Sequence, residues 1–278
     1  MKRLLTLTFV AFVALETSAQ SLNCGSYNIR MHSKVDYKRG DGWTERRDIM
    51  CDLVAFTAFD IFGAQEVCHD QLEYMLERLP EYNYIGVGRD DGKKKGEYSP
   101  VFYRRDRFEL LDSGTFWLSE TPEEVSYGWD AECRRVCSWG YFKDKQTRKR
   151  FWFFNTHMDH RGKVARVEGA KLLLNKIKQM CKPGATIILT GDFNVLPDSV
   201  VRKSVLRFEG CGEKLADVTG GVGMTFHGYH PEKHSEGDQI DYIFTNMKCD
   251  VSKSFTAKDF EDGVYLSDHY PVGAFLEI

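Results

Sequence analysis

The sequence predicts an α/β (α+β) fold in which sheets pack together and helices cover them on the outside. Two observations indicate this. Helical and strand patterns alternate towards both ends of the chain, whereas the middle carries a run of strands with little helix between them. That mixed order is typical of layered folds. The 278-residue sequence shows no repeat, low-complexity tract or linker-like segment that would mark a domain boundary.

The N-terminal part alternates strands and helices. Thr44 is a candidate cap for a helix over residues 45–56. A second helical pattern, over residues 70–79, stops before Pro80, which cannot continue a helix. A glycine- and lysine-rich loop is expected at residues 89–97. Apolar and β-branched content predicts strands at residues 21–29, 60–65 and 82–88.

The rest of the chain is richer in strands. Apolar residues recur at helical spacing from Val164 to Ile177, and Pro183-Gly184 end that helix. Residues 185–190 carry no charge, so they predict a strand buried on both faces. The further strands are predicted at residues 101–104, 108–115, 136–144, 150–157, 239–245 and 271–278.

The first residues have the pattern of a secretory signal peptide. The basic pair Lys2-Arg3 precedes an apolar run over residues 4–15, and small residues follow at 17–19. The apolar run is too short to span a bilayer comfortably. We therefore predict a signal peptide over residues 1–19, one domain over residues 20–278, and a periplasmic or extracellular protein.

Charge and cysteine content limit the possible functions. A formal net charge of −3 does not favour a protein that coats nucleic acid through a basic surface, although a local basic pocket remains compatible with it. Eight cysteines in an exported chain permit disulfides without fixing their pairing. Cys24 makes a lipoprotein an alternative, since a cysteine near the cleavage site can carry a lipid. The residues before it match a lipidation signal poorly, so we favour a soluble exported enzyme.

Six predicted strands carry polar residues at or beside their ends. One such residue is commonly a turn or a cap, and the segment Gly191-Asp192-Phe193-Asn194 alone is explained equally well by turn chemistry. Six together indicate a ligand site, because charged groups beside apolar runs are costly unless they are paired or metal-bound. Carboxylate and amide oxygens suit Mg²⁺, and histidines beside aspartates suit proton transfer. The residues are Asn28, Glu66, His157, Asp192, Asn194, Asp241, Asp268 and His269.

Six short motifs, in this order, resemble the endonuclease/exonuclease/phosphatase (DNase I-like) superfamily. They are SYNIR, AQEV, NTHMDH, GDFN, QIDYIF and SDHYPV, and they extend over the chain from Leu22 to its C-terminus. The segment over residues 96–122 resembles the bacterial exported branch of that superfamily. The resemblance implies a four-layer α/β/β/α sandwich, with two mixed sheets face to face and helices outside. It also implies metal-dependent hydrolysis of a phosphoester by in-line attack of water.

The resemblance also implies roles for individual residues. Glu66 and Asp268 would hold Mg²⁺, for which Mn²⁺ could substitute, with Asn28 in or beside the coordination shell. Asp192 would orient or activate the water, and Asn194 would bind the phosphoryl group. His157 would donate to a phosphate oxygen, and His269 would be oriented by Asp241.

The substrate is predicted only as a class. We favour a phosphodiester, as in nucleases, over a phosphomonoester or a lipid phosphodiester such as an inositol phosphate- or sphingomyelin-like substrate. Arg104 and His227 are candidate substrate contacts, Arg104 because a guanidinium can grip a phosphate with two hydrogen bonds. No protein partner is evident, and we expect a monomer. A binding protein without catalysis is the alternative from another class, and the presence of Glu66, Asp192 and His269 disfavours it.

Overall fold

The computed structural model describes residues 21–235, 237–257, 260–261 and 264–278. The predicted signal peptide lies outside the described residues. Within the described part of the chain, no helix is long and apolar enough to cross a membrane. All eight cysteines of the chain are described, and each is a free thiol.

Two sheets of six strands each form the centre of the molecule. Among the described residues the strands are, in chain order, β1 (Ser21–Asn28), β2 (Ile61–Gln65), β3 (Tyr82–Ile85), β4 (Val101–Arg104), β5 (Phe108–Trp117), β6 (Val136–Asp144), β7 (Arg150–His157), β8 (Ile187–Asp192), β9 (Ala216–Asp217), β10 (Asp241–Thr245), β11 (Phe255–Thr256), β12 (Phe260–Glu261), β13 (Val264–Tyr265) and β14 (Val272–Glu277). The first sheet has the order β11-β14-β1-β2-β4-β3 and the second β5-β6-β7-β8-β10-β9, while β12 and β13 pair separately. The described helices are α1 (Lys34–Arg39), α2 (Trp43–Thr57), α3 (His69–Arg78), α4 (Lys163–Met180) and α5 (Val200–Leu206).

Neighbouring side chains on one strand enter different apolar layers. Phe153 of β7 lies in the cluster between the two sheets, and Phe154 lies in the cluster beneath α4 and α5. In the first sheet, Ile61 faces the centre, whereas Phe62 packs in the cluster under α2 and α3. Because successive side chains of a strand point to opposite faces, each sheet is covered on both sides. The predicted four-layer sandwich is confirmed.

Strand direction brings the polar strand ends to one edge of the sandwich. In the first sheet β1 and β2 are parallel, so Asn28 lies opposite Gln65 at their carboxyl ends. The last strand, β14, is antiparallel to β1 and therefore starts at that same edge. In the second sheet His157, Asp192 and Asp241 lie side by side on three adjacent strands. Residues far apart in sequence thereby meet in one place.

Several details differ from the prediction. Helix α2 begins after Gly42, and Thr44 lies inside its first turn, where its hydroxyl donates to Glu45 instead of capping. Glycine at that position permits the turn without a side-chain cap. The strand predicted over residues 82–88 ends at Ile85, because Gly86 takes a positive φ of 134° and turns the chain. The short helices α1 and α5 were not predicted, since each has fewer than three turns and too few apolar repeats to be recognised.

Arg46 of α2 holds the loops that frame this edge. Its side chain is fully buried, and its guanidinium donates to the backbone carbonyls of Ile29 at 2.5 Å, Leu266 at 2.6 Å and Arg30 at 2.6 Å. Ile29 and Arg30 lie in the loop that follows β1, and Leu266 lies just before the Asp268-His269 segment. One buried cation therefore satisfies acceptors in two loops that carry site residues.

Arg46→Met is expected to lower the free energy of unfolding by about 3 kcal/mol, because it leaves buried carbonyls without donors. The matched control is Arg47→Met, since the Arg47 guanidinium lies over the ring of Tyr74 on the surface side of the same helix. Urea denaturation followed by circular dichroism measures both variants. Equal, small losses for the two variants would contradict the role assigned to Arg46.

Candidate active site

Asp192 lies at the centre of the cluster and contacts side chains from both sheets. Its Oδ1 accepts the backbone N–H of Asn194 at 2.9 Å, and its Oδ2 accepts the amide of Asn28 at 3.1 Å. His157 Nε2 lies 3.4 Å and His269 Nε2 3.7 Å from the same Oδ2. Burial, followed by repulsion from Asp241, raises the pKa of Asp192. A carboxylate in this setting can accept a proton near neutral pH.

His269 and Asp241 form a buried pair. His269 Nδ1 lies 2.9 Å from Asp241 Oδ2, and both residues are nearly inaccessible to solvent. Burial alone would lower the pKa of His269, but the Asp241 carboxylate, with Asp192 and Asp268, raises it to about 10. The ring is therefore held as a cation with its Nε2 directed towards Asp192. The pair can fix the orientation of the imidazolium and stabilise its charge.

Asn194 and His157 form the side of the cluster that follows β7 and β8. The Asn194 amide donates to the carbonyl of Met158 at 3.0 Å and lies 3.1 Å from His157 Nε2. Burial, then the positive charges of Arg135 and Arg89, lower the pKa of His157 far below its usual value. Neutral His157 can donate one hydrogen bond and accept another, as a phosphate-binding or proton-transfer group requires.

Glu66 and Asp268 present carboxylates to the same cavity. The Arg30 guanidinium lies between them, with its Nη1 3.9 Å from Glu66 and 3.3 Å from Asp268. Burial raises the pKa of Asp268, and the Glu66 carboxylate raises it further. For Glu66, burial acts to raise the pKa, but the charges of Arg30 and His269 together with the hydrogen bonds from Met31 and Asn28 hold it below its usual value.

These two carboxylates fit a hard divalent cation by the chemistry of their donors. Asn28 lies beside Glu66: its amide oxygen accepts the backbone N–H of Arg30, and its amide nitrogen donates to Glu66 at 3.1 Å, while its place in or beside a metal's coordination shell stays a prediction. In this structure, Asn28 therefore orients Glu66. Asp192, Asp241 and His269 also place ligand atoms within 4.8 Å of one another. Within that group His269 is hydrogen-bonded to Asp241 and its Nε2 lies 3.7 Å from Asp192, so the three residues suit proton and charge handling, and Glu66 with Asp268 are the residues that would hold the metal.

Three residues with left-handed backbone surround the cluster. Arg30 has a φ of 59°, Glu66 of 61° and Asn194 of 50°, although none of them is glycine. Such conformations are strained and persist where the surrounding structure enforces them, which is common at functional sites. Each directs a side chain of the cluster.

The cluster opens into a cavity of about 390 Å³ with an unexpected cationic wall. Beside the predicted residues, the cavity is lined by four to which the sequence motifs give no role: Arg89, Glu97, Arg135 and His160. Arg89 pairs with Glu97 through two hydrogen bonds of 2.7 Å. Arg89 and Glu97 come from the loop between β3 and β4, Arg135 directly precedes β6, and His160 follows β7, so no spacing in the sequence signals that they converge.

The two predicted substrate contacts are not in this cavity. Arg104 is the last residue of β4, which is antiparallel to β2, so it lies beside Asp60 at the opposite end of β2 from Glu66. There it pairs with Asp106 at 3.0 Å, and its position excludes the predicted grip on a phosphate at this site.

His227 is fully buried behind the site, and its ring stacks on Tyr270 at a centroid distance of 4.3 Å. Burial lowers its pKa to about 3, so the ring is neutral and part of the aromatic packing. The predicted contact with substrate does not fit this buried position. In the sequence His227 follows Thr225 and Phe226, and this order does not show which way the ring points.

Comparison with known proteins identifies the family of the chain. Residues 25–269 match the sequence profile of the Endonuclease/Exonuclease/phosphatase family. The chain belongs to this family. It is accordingly a phosphohydrolase of the superfamily that the sequence motifs resemble, and the predicted membership is confirmed. Members of the family generally use divalent metals.

Three similar proteins, two of them solved structures, extend the family likeness over most of the chain. The mannosyl-6-phosphatase of Bacteroides thetaiotaomicron is 40% identical, with a TM-score of 0.80, over 92% of this chain and 100% of that one. A family protein from Bacteroides vulgatus is 37% identical, with a TM-score of 0.83, over 93% of this chain and 99% of that one. An uncharacterized protein, L388, of Acanthamoeba polyphaga mimivirus is 26% identical over 84% of this chain and 92% of its own length.

Proposed function

We propose that this protein is an exported, Mg²⁺-dependent hydrolase that cleaves a compact phosphoester by in-line attack of water. The observation that carries the proposal is the convergence of Asp192, His157, His269 and the two carboxylates Glu66 and Asp268 in one cavity. A divalent cation held by Glu66 and Asp268 would supply positive charge to the phosphoryl oxygens. The chain's own residues supply the remaining chemistry.

Each of these residues has a position that suits one part of the reaction. Asp192, whose pKa is raised by burial, orients the attacking water and accepts its proton. Asn194 and His157 donate to the phosphoryl oxygens from the side of the cavity that follows β7 and β8. The imidazolium of His269, fixed by Asp241, stabilises negative charge beside Asp192.

The cavity favours a small substrate over a polymer. Its volume of about 390 Å³ suits a small phosphate ester, and a 40%-identical relative is a mannosyl-6-phosphatase. A sugar phosphate or another phosphomonoester is therefore the first substrate to test. The phosphodiester favoured from the sequence is the competing substrate class.

A substrate panel with Mg²⁺ separates these classes. It comprises 4-nitrophenyl phosphate, mannose 6-phosphate, bis(4-nitrophenyl) phosphate, single-stranded DNA, sphingomyelin and inositol phosphates. Turnover of the compact esters without turnover of DNA is the expected result. Efficient DNA cleavage with steep inhibition by salt would show backbone tracking and would overturn the compact-substrate proposal.

Glu66→Gln is expected to raise the Mg²⁺ concentration needed for half-maximal activity by about 10-fold or more, because one anionic ligand is lost. Glu73→Gln is the matched control, since Glu73 lies on the surface of α3 and its side chain is 65% exposed. Initial rates over a Mg²⁺ titration measure the effect. An unchanged titration with a lower maximal rate would place Glu66 outside the metal site.

Export has its own test. The signal sequence predicts a mature N-terminus near Gln20. N-terminal sequencing of protein from the native cell envelope or medium measures it. Recovery of uncleaved chain from the cytoplasm would overturn the proposal of export and would leave the catalytic proposal standing.

A further inference from the structure

We infer that Arg135 binds a terminal oxygen of the substrate's phosphoryl group and makes the site selective for phosphate monoesters over diesters. The inference rests on the proposed function, because it assigns the substrate class of that same cavity. A monoester has three terminal oxygens, whereas a diester has two and a second ester group in place of the third. The additional oxygen requires an additional donor, and Arg135 provides one.

Arg135 has a hydrogen-bond donor without an acceptor. The residue lines the cavity and is only 5% exposed, and its Nη1 has no hydrogen-bond partner among the described residues. A buried guanidinium nitrogen without an acceptor is costly. A substrate oxygen in the cavity would satisfy it with a charge-assisted hydrogen bond, which is stronger than a neutral one.

The rest of the guanidinium is held in place before any ligand binds. Its Nη2 lies 3.1 Å from His160 Nδ1, and its Nε lies 3.5 Å from Asp159 Oδ2. A donor that is already oriented loses little conformational entropy on binding. Asp159 is fixed in turn, because its carboxylate accepts the backbone N–H groups of Glu132, Cys133, Arg161 and Gly162.

These contacts also argue against a metal at this wall. Cys133, Asp159 and His160 place possible ligand atoms within 4.8 Å of one another. Both Asp159 oxygens already accept two backbone N–H groups each, and the Arg135 charge lies beside them. The cationic wall therefore suits an anion, and the acidic side of the cavity suits a cation.

Arg89 is the other arginine of the cationic wall. Each of its Nη atoms already donates to Glu97, so its charge is paired with a carboxylate, and its Nε has no partner among the described residues. His157 lies between the wall and the proposed reaction centre. Its Nε2 is 3.4 Å from Asp192, while its Nδ1 is 4.0 Å from Glu97 and has no hydrogen bond within the described structure. Arg135 differs from Arg89 in having a terminal nitrogen, Nη1, without an acceptor among the described residues.

The test compares Arg135→Gln with Arg134→Gln. Arg134 is the adjacent arginine in sequence, but its guanidinium lies over the ring of Tyr127 and pairs with Asp90 outside the cavity lining. We measure kcat/KM with Mg²⁺ for 4-nitrophenyl phosphate and for bis(4-nitrophenyl) phosphate. We also measure the binding of inorganic phosphate to the Mg²⁺-loaded protein by calorimetry.

Arg135→Gln is expected to lower kcat/KM for the monoester by roughly 10- to 100-fold, the effect of losing one hydrogen bond to a charged group. The loss for the diester is expected to stay within about threefold, and phosphate binding is expected to weaken by about 10-fold or more. Arg134→Gln should change none of these. Arg135→Lys, which keeps the charge, should restore part of the monoester activity and should fold if the glutamine variant does not.

Two results would overturn the inference. One is an equal loss on monoester and diester, with phosphate binding unchanged, which would make Arg135 a structural residue. The other is phosphate affinity unaltered in both Arg135 variants. If the wild type hydrolyses neither ester, the proposed function fails, and the calorimetry still decides whether Arg135 binds phosphate.

Discussion

His269→Ala is expected to lower kcat by about 100-fold or more, the usual size of a general acid–base contribution. The reason is that His269 places a cation beside Asp192, with its Nε2 3.7 Å from Asp192 Oδ2. Asp241→Asn should lower kcat to a similar extent, because Asp241 orients the imidazole and favours its charged form. Steady-state kinetics at saturating Mg²⁺ measures both variants.

The double variant tests whether the two residues act as a unit. His269→Ala combined with Asp241→Asn should cost little beyond His269→Ala alone, because Asp241 acts through the histidine. His230→Ala is the control, since His230 is on a surface loop with its side chain 52% exposed. Losses that multiply, or an Asp241→Asn effect confined to the Mg²⁺ dependence, would instead place Asp241 in a metal site.

Asp192→Asn is expected to lower kcat by about 1,000-fold, within the range for a lost general base. The amide cannot accept a proton from water, and it keeps one acceptor oxygen for the two donors that Asp192 now accepts, the Asn194 backbone N–H at 2.9 Å and the Asn28 amide at 3.1 Å. The substitution keeps the shape of the side chain. Thermal denaturation should therefore show a folded protein, which separates the loss of chemistry from the loss of structure.

Asp198→Asn is the matched control for this experiment. Asp198 lies in the same loop after β8 but is exposed to solvent. The control is expected to retain full activity. An Asp192→Asn variant with a rate within about threefold of the wild type, well short of a general-base loss, would contradict the role assigned to Asp192.

The strand ends that carry the site could be predicted because burial and polarity conflict there. Asp192 and Asp241 follow or begin apolar strands, and such carboxylates need partners. The structure shows those partners: His269 lies 2.9 Å from Asp241, and the Asn28 amide donates to Asp192 at 3.1 Å. The four-layer fold could also be predicted, because the motif order identified the superfamily.

The rest of the site depends on contacts between distant segments. Arg135 meets Asp159 and His160 only after β6 and β7 pair, so no local spacing reveals the cationic wall. The prediction for Arg104 failed for a related reason. A strand end can face either edge of a sheet, and the antiparallel pairing of β4 with β2 placed Arg104 at the edge away from the site. His227 failed because burial, which the sequence does not show at single residues, removed it from the cavity.

The central claim is that this cavity hydrolyses phosphoesters with a divalent cation. The most direct measurement is the rate of phosphate release from 4-nitrophenyl phosphate by wild-type protein treated with excess EDTA, before and after addition of Mg²⁺ above the chelator. We expect no turnover in EDTA and recovery of the full rate with Mg²⁺, because Glu66 and Asp268 would hold the ion that phosphoryl transfer requires. Full activity in excess EDTA would contradict the account.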